Sequence, residues 1–264
     1  MSEMPATLYK YRIWSEPYHQ KIITEQQVFL ASPANLNDPF DASLPFRYDP
    51  AELTEDNIFL KMMEVGKREY PDKTDTELHQ MAFQRQSSGV FASGDYWKEV
   101  HEETKKNLHT TFGILSLTTK RDNLLMWAHY ANCHKGFCIG LDTEMLYQAI
   151  GGTLGPVIYD DVFPFIPLFE GDVPALIRHM NTKSKHWGYE DEYRLTKANS
   201  ANKAWTIPKE AIKEVIIGCN MPVDQQAAIC DAVEKHAPGA KILTAHTSLE
   251  RFELNIYPYT KISY

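Results

Sequence analysis

The stretch Ile-Leu-Ser-Leu-Thr-Thr-Lys-Arg-Asp-Asn-Leu-Leu-Met-Trp-Ala-His-Tyr, residues 114–130, indicates how this chain folds. Its first part predicts a strand that ends with Ser116 and Thr118. A polar turn follows, and a helix opens near Asp122 or Asn123, because both side chains are good N-caps. One strand, one turn and one short helix therefore stand in direct succession.

The same mixture of short elements extends outward from this stretch in both directions. Further strands are predicted at residues 8–12, 27–31, 136–141, 154–159, 187–195, 204–207, 215–217, 241–245 and 252–256. Helices are predicted at residues 15–24, 143–150, 173–184 and 223–235. Many short strands with interposed helices indicate an α+β fold rather than a doubly wound sheet. Neither a Rossmann nor a P-loop glycine fingerprint occurs.

One long segment, residues 51–109, differs from the rest of the chain. It is polar and rich in charge, and its apolar residues recur at helical spacing. Pro71 and the Ser-Ser-Gly sequence at residues 87–89 divide it into three predicted helices. We therefore expect one α+β domain over residues 1–264, with a helical insertion at about residues 51–109.

The composition argues against several classes of protein. The net charge is −8, which argues against a general nucleic-acid binder because no basic stripe is present to neutralise phosphates. The four cysteines form no Cys-x-x-Cys pair, and this low usage fits a reducing compartment. The N-terminus has no signal-peptide pattern, and no apolar run is long enough for a membrane span. A cytoplasmic protein without a membrane partner is expected.

Residues 187–195, Trp-Gly-Tyr-Glu-Asp-Glu-Tyr-Arg-Leu, carry an unusual concentration of charge. In an extended segment alternate side chains share a face, so Glu190, Glu192 and Arg194 would lie together. Two neighbouring carboxylates are unfavourable in a strand unless a partner or a ligand compensates them. The segment is therefore either an exposed edge strand, in which Arg194 neutralises one glutamate, or a site that stabilises a cation. Taken by itself, it favours the edge strand.

The first predicted strand, Leu-Tyr-Lys-Tyr-Arg at residues 8–12, places Lys10 and Arg12 on one face and two tyrosines on the other. Such a pair of cations is suited to anchoring a phosphate or a carboxylate, with the arginine binding in a bidentate manner. An ordinary surface strand would show the same pattern, and this segment alone favours that simpler interpretation.

The strand–turn–helix at residues 114–130 also has two interpretations. The hydroxyls of Ser116 and Thr118 could bind a polar ligand while Trp127 or Tyr130 stacks on an aromatic ring. A well-capped core helix rich in aromatic residues would have the same sequence. The residues favour neither interpretation over the other.

These segments together resemble a bacterial family of unknown function. The shared motifs are Leu-Tyr-Lys-Tyr-Arg at residues 8–12, Asn-Asp-Pro-Phe-Asp at residues 37–41, Met-Trp-Ala-His-Tyr at residues 126–130 and Glu-Asp-Glu-Tyr-Arg at residues 190–194. The resemblance extends from near the N-terminus to about Gly218. It implies membership of a family without an established activity.

The order of the motifs is also similar to that of the ADP-ribosyltransferase fold, including toxins that modify DNA bases. That resemblance implies a split β-sheet core and a cleft that binds NAD as a substrate. The binding residues would be Lys10, Tyr11, Arg12, Ser116, Thr118, Met126, Trp127 and Tyr130. Glu192 would be the catalytic carboxylate, and Glu190 would orient the acceptor.

The resemblance implies a function in toxin action or phage defence, with a protein or nucleic-acid acceptor that the sequence does not identify. Hydrolysis of the same glycosidic bond is a close variant of this activity. A metal-dependent hydrolase or nuclease is an alternative, with the carboxylates of Asp38, Asp41, Glu190 and Glu192 as candidate ligands. A non-catalytic nucleotide-binding module is a further alternative. The sequence gives no indication of the oligomeric state.

Overall fold

The structure is a computed structural model that describes residues 4–45, 47–89, 93–169 and 172–260. Its strands are β1 (Thr7–Arg12), β2 (Gln27–Leu30), β3 (Phe112–Thr118), β4 (Phe137–Asp142), β5 (Thr153–Pro156), β6 (Ile158–Tyr159), β7 (Thr182–Lys183), β8 (Glu192–Ala198), β9 (Lys203–Thr206), β10 (Ile212–Ile217), β11 (Lys241–Thr247) and β12 (Leu254–Pro258).

The α-helices are α1 (Pro17–Thr24), α2 (Glu55–Glu69), α3 (Asp75–Ser87), α4 (Gly94–Thr111), α5 (Leu124–Tyr130), α6 (Thr143–Ile150), α7 (Asp172–Met180) and α8 (Val223–His236). Short 3-10 helices lie at Pro33–Asn35, Lys185–Glu190 and Lys209–Ala211. No helix in the described ranges is long and apolar enough to cross a membrane.

Eight of the strands form one mixed sheet in the order β12-β11-β10-β4-β1-β3-β8-β5. Strands β10 and β11 pair in parallel, and the other neighbours in this sheet are antiparallel. The separate pairs β2–β9 and β6–β7 lie outside this sheet. The predicted α+β class is therefore confirmed, whereas the ADP-ribosyltransferase-like split core stays a prediction.

The middle of the large sheet contains a discontinuity. Strand β1 pairs with β4 along its whole length, but it pairs with β3 only through Tyr9 and Thr118. Farther along β3, Ile114 instead bridges to Ala31, which follows β2. Strands β1 and β3 thus diverge beyond one residue pair, and a gap opens between the two halves of the sheet.

Alternation along β3 and β8 explains how the sheet separates an apolar face from a polar face. Leu115 is paired with Leu195 across the two strands, and both belong to the main hydrophobic core. Ser116 is paired with Arg194 on the opposite face. Because side chains in a strand alternate between faces, a buried core on one side directs the polar residues to the other side.

The three helices predicted in the insertion are present as α2, α3 and α4. Their starts follow ordinary capping chemistry: the Thr54 hydroxyl accepts from the Asn57 amide, and Thr74 forms a capping box with Glu77. A small cluster around Met63 and Leu78 packs α2 against α3. Local sequence signals are sufficient to specify these helices.

Several predicted boundaries were wrong. The helix predicted at residues 173–184 ends at Met180, and Thr182–Lys183 is a short strand because Thr182 pairs in parallel with Ile158. The helix predicted from Ser15 begins at Pro17, with Glu16 as its N-cap. The extended segment predicted at residues 187–195 begins only at Glu192, since residues up to Glu190 form a 3-10 helix.

Candidate functional site

A cleft of about 260 Å³ opens at the gap between β1 and β3. Residues from several distant parts of the chain line it. Eight of the ten residues predicted for the site are among them: Lys10, Tyr11, Arg12, Ser116, Met126, Tyr130, Glu190 and Glu192. Asp41 and Lys183 line the cleft as well.

The cleft adjoins a buried charge cluster, which we define as Asp41, Lys183, Glu190, Glu192 and Arg194; the first four of these residues line the cleft. These side chains are among the most buried polar groups of the described residues, with exposures from 0 to 5%. A solvated edge strand, which the sequence of residues 187–195 favoured by itself, is therefore wrong for this segment. Moreover, β8 lies between β3 and β5 rather than at an edge.

Lys183 connects the two glutamates. Its Nζ lies 2.6 Å from Glu190 Oε2 and 3.2 Å from Glu192 Oε2. The same ammonium group lies 3.5 Å from Asp41 Oδ2 and 4.8 Å from the centroid of the Trp187 ring. One lysine therefore holds three carboxylates close together that would otherwise repel one another.

Arg194 holds Glu192 in a bidentate ion pair. Its Nε donates to Glu192 Oε1 at 2.8 Å, and its Nη2 donates to Oε2 at 3.0 Å. Nη2 also lies 2.7 Å from Asp41 Oδ1 and 2.8 Å from Oδ2, and Nη1 donates to the carbonyl oxygen of Met180. Such fork-shaped pairing fixes both the position and the orientation of the Glu192 carboxylate.

The cations determine the ionisation of Glu192. Burial by itself would raise the pKa of Glu192, but Arg194 and Lys183 outweigh burial and lower it to about 2, and the Ser116 hydroxyl contributes to the lowering. Burial raises the pKa of Asp41 despite the opposing effect of Arg194 and Lys183. Two cations face three carboxylates, so a fully ionised cluster carries an excess negative charge. Glu192 is thus an anion at every physiological pH.

A left-handed residue brings Glu190 next to Glu192. The sequence prediction placed both on one strand face, but Glu190 ends a 3-10 helix and Glu192 begins β8. Asp191, between them, has φ 45° and ψ 51°, a conformation that Asp tolerates better than most residues. The chain bends at Asp191, and both glutamates reach Lys183 from different elements.

A second charged feature of the cleft is a cationic pair, Lys10 and Arg12. Lys10 Nζ donates to the carbonyl oxygen of Ser116 at 2.5 Å, and Arg12 Nη1 donates to that of Tyr11 at 3.4 Å. Within the described residues, neither cation forms a salt bridge with a carboxylate. Burial and repulsion from Arg12 lower the pKa of Lys10 despite the opposing effect of Glu192 and Glu190, and burial lowers the pKa of Arg12 to about 10. An anionic ligand would relieve both effects.

Tyr130 connects the helix α5 to the charge cluster. Its hydroxyl donates to Glu190 Oε1 at 2.6 Å and accepts from Asn37 Nδ2 at 3.2 Å. The Asn123 side chain caps α5 by accepting from two backbone amides, which fixes the start of the helix. Burial raises the pKa of Tyr130, and the hydrogen bond to Glu190 raises it further, so the phenol stays protonated.

Two residues predicted for the site lie elsewhere. Trp127 is fully buried, with its ring edge-on to Tyr11 at 5.1 Å and its Nε1 donating to the carbonyl oxygen of Arg121. It packs in a core cluster and offers no free ring face to a ligand. Thr118 is also buried, and its hydroxyl donates to the carbonyl oxygen of Glu190. Thr118 thus holds the turn beneath the cluster and does not line the cleft.

Sequence reasoning missed Lys183 entirely, because this residue fell at the end of a predicted helix. Asp41 was considered only as a metal ligand. In the structure, Asp41, Glu190 and Glu192 are paired with cations, and no group of three or more His, Cys, Asp or Glu side chains in the described ranges is arranged to hold a metal ion. Asp38 lies on the same loop, where its carboxylate caps the Phe40 amide at 3.0 Å.

Comparison with known proteins gives a match over part of the chain. Residues 126–195 match the model of a family described as "Protein of unknown function (DUF2971)". The matched part runs from α5 into β8 and includes Tyr130, Lys183 and both glutamates. No curated protein and no solved structure matches the chain. Over residues 126–195, the chain is therefore similar to a family of unknown function, whereas the motifs at residues 8–12 and 37–41 lie outside the matched range.

Proposed function

We propose that this protein is an NAD-dependent ADP-ribosyltransferase-like enzyme, which cleaves the bond between nicotinamide and ribose and transfers ADP-ribose to an acceptor. One observation carries the proposal: a single cleft is lined by carboxylates of a buried charge cluster and by two cations, Lys10 and Arg12, that form no salt bridge within the described residues. A substrate with a cationic ring and an anionic pyrophosphate is complementary to both features.

The chemistry of bond cleavage requires a fixed negative charge. When the bond between the ribose carbon and the pyridine nitrogen breaks, the electron pair leaves with nicotinamide and positive charge develops on the ribose. A carboxylate that is already ionised and already oriented stabilises that charge without reorganising. Glu192 has these properties, since Arg194 and Lys183 keep it anionic and Arg194 fixes its orientation.

The remaining residues of the cleft suit the rest of the substrate. Lys10 and Arg12 offer two cations to the pyrophosphate, and its negative charges would give both side chains an anionic partner. Met126 and Tyr130 offer apolar and aromatic surface beside Glu190. Glu190, held by Tyr130 and Lys183, is suited to orienting an acceptor hydroxyl or amine, or a water molecule if the bond is hydrolysed.

A direct test uses purified protein, NAD and a mixture of candidate acceptors. We expect release of nicotinamide, and Glu192→Gln should lower the rate by about 100-fold or more while NAD still binds. The control is Glu210→Gln, an exposed carboxylate in the 3-10 helix Lys209–Ala211. If the wild-type protein neither binds NAD nor releases nicotinamide, the proposal is wrong.

The same experiment separates the alternatives. A metal-dependent hydrolase would lose activity with a chelator, but the carboxylates that would bind the metal are already paired with Lys183 and Arg194, which makes this alternative the weaker one. A non-catalytic module would bind nucleotide without turnover, and Glu192→Gln would not change its biological effect.

A further inference from the structure

The loop at residues 37–41 contacts the charge cluster at two separate points. At its start, Asn37 Nδ2 donates to the Tyr130 hydroxyl, which in turn donates to Glu190. At its end, Asp41 pairs with Arg194, which binds Glu192. Lys183 joins the two glutamates. The hydrogen bonds therefore form a closed ring that begins and ends on one loop.

Asp41 is the member of this ring that shares the Nη2 atom of Arg194 with Glu192. Arg194 is fully buried, and Nη2 is shared between Asp41 and Glu192. Without Asp41, the guanidinium would keep Glu192 and the Met180 carbonyl oxygen, but Nη2 would lose one of its two carboxylate partners. The Asp41 carboxylate lines the cleft, and its link to the Glu192 carboxylate runs through Arg194.

Lys183 has the complementary role of setting the distance between the two glutamates. It lies within 3.2 Å of an oxygen of each. Its position comes from the short strand β7, which pairs in parallel with β6, so the backbone limits how far the ammonium group can move. A shorter or uncharged side chain at this position would let the carboxylates separate.

On the basis of the function proposed above, we infer that Asp41 and Lys183 are positioning residues: Asp41 orients Glu192 through Arg194, and Lys183 fixes the spacing of Glu190 and Glu192. The loop at residues 37–41 thereby determines the geometry of the catalytic carboxylate. Asp41 and Lys183 influence the rate of bond cleavage rather than the affinity for NAD.

The test measures kcat and KM for nicotinamide release, together with NAD binding, in full-length variants. Asp41→Asn keeps the shape of the side chain and removes its charge. We expect kcat to fall about 10- to 100-fold with KM and NAD affinity within about twofold of wild type, because small displacements of a catalytic group have effects of this size. The control is Asp72→Asn, an exposed aspartate of the helical insertion, with unchanged kcat.

A double-mutant cycle shows whether Asp41 acts through Glu192. If it does, adding Asp41→Asn to Glu192→Gln lowers kcat no further, whereas independent effects would multiply. Lys183→Met and Lys183→Arg provide a second route if Asp41→Asn does not fold. Lys183→Arg retains the positive charge, and we expect it to recover most of the kcat that Lys183→Met loses.

The outcomes separate this inference from the proposed function. A wild-type protein that does not bind or cleave NAD overturns both. An active wild type in which Asp41→Asn keeps its full kcat, or in which the two substitutions act multiplicatively, overturns the inference for Asp41 alone. Equal loss of kcat in Lys183→Met and Lys183→Arg, with folding intact, overturns it for Lys183.

Discussion

The charge cluster and the cationic pair line the same cleft, but they satisfy their charges in opposite ways. In the cluster, Arg194 and Lys183 are surrounded by carboxylates, and Glu192 has a charged partner for each of its oxygens. In the cationic pair, Lys10 and Arg12 contact only backbone carbonyl oxygens among their described hydrogen-bond partners. Ion pairs within the protein thus compensate charges of the cluster, whereas Lys10 and Arg12 form no ion pair within the described residues.

This difference separates the charges that we expect to stabilise the fold from the charges that we expect to bind a ligand. Removing one partner of a buried ion pair is strongly destabilising, because it leaves an uncompensated buried charge. A desolvated cation without a partner is costly from the start, so its removal costs the fold little. Substitutions in the cluster should therefore affect stability strongly, and substitutions in the cationic pair should affect ligand binding.

The largest expected effect is that of Arg194→Met. This substitution leaves three buried carboxylates with Lys183 as their remaining cationic partner in the cluster, and we expect a loss of about 3–5 kcal/mol in the free energy of unfolding. Chemical denaturation measures the loss. Arg251→Met, at an exposed site between β11 and β12, is the control. A loss below 1 kcal/mol would mean that the cluster does not stabilise the fold.

The next effect concerns pH. Because the pKa of Glu192 lies at about 2 in the folded protein, below its ordinary value of 4.5, its contribution to stability is present above pH 4.5 and disappears as the pH falls toward 2. The pKa difference corresponds to about 3 kcal/mol, and the raised pKa of Asp41 offsets part of it. Unfolding measured between pH 6 and pH 2 should show this decline, and Glu192→Gln should show a shallower one. If the wild type and Glu192→Gln lose stability equally as the pH falls, the ion pair between Glu192 and Arg194 does not stabilise the fold.

For the cationic pair we expect an effect on binding without an effect on folding. Lys10→Met and Arg12→Met should each weaken binding of NAD or inorganic pyrophosphate about tenfold, which is about 1.4 kcal/mol, and 0.5 M salt should weaken binding to the wild type. The free energy of unfolding should be unchanged or slightly higher. If either variant is destabilised by more than about 2 kcal/mol, the cations serve the fold and not a ligand.

The smallest effect is expected on the surface. Lys21 on α1 and Glu25, the C-cap residue of that helix, form an ion pair with both side chains more than 40% exposed. Glu25→Gln should change the free energy of unfolding by about 0.5 kcal/mol or less. This variant gives the reference value for an exposed ion pair. A larger change would show that exposed pairs in this protein are unusually strong, and the contrast with the charge cluster would then be weaker.

Local sequence signals predicted the elements that local chemistry determines. The helix α6 has the predicted bounds, Thr143–Ile150, because Asp142 caps its start and Gly151 adopts a positive φ at its end. The strand–turn–helix at residues 114–130 is likewise present. In each case the controlling residues lie within a few positions of the element.

The charge cluster could be predicted only in part, since distant residues assemble it. Alternation suggested that Glu190 and Glu192 would be neighbours, which they are, but through a left-handed Asp191 rather than through an extended strand. Asp41 and Arg194 are 153 positions apart in the sequence, so no local sequence pattern predicts that they form an ion pair. Lys183 depends on a two-residue strand that only tertiary pairing creates.

The single residue pair that joins β1 to β3 has a consequence for dynamics. Beyond Tyr9 and Thr118, the strands lack the ladder that would protect their facing amide groups, and the Lys10 side chain instead reaches the Ser116 carbonyl oxygen. Amide hydrogens along this seam should exchange with solvent deuterium faster than those between β1 and β4. A ligand that contacts both strands would hold the seam together and slow that exchange, so hydrogen exchange can detect binding without any turnover.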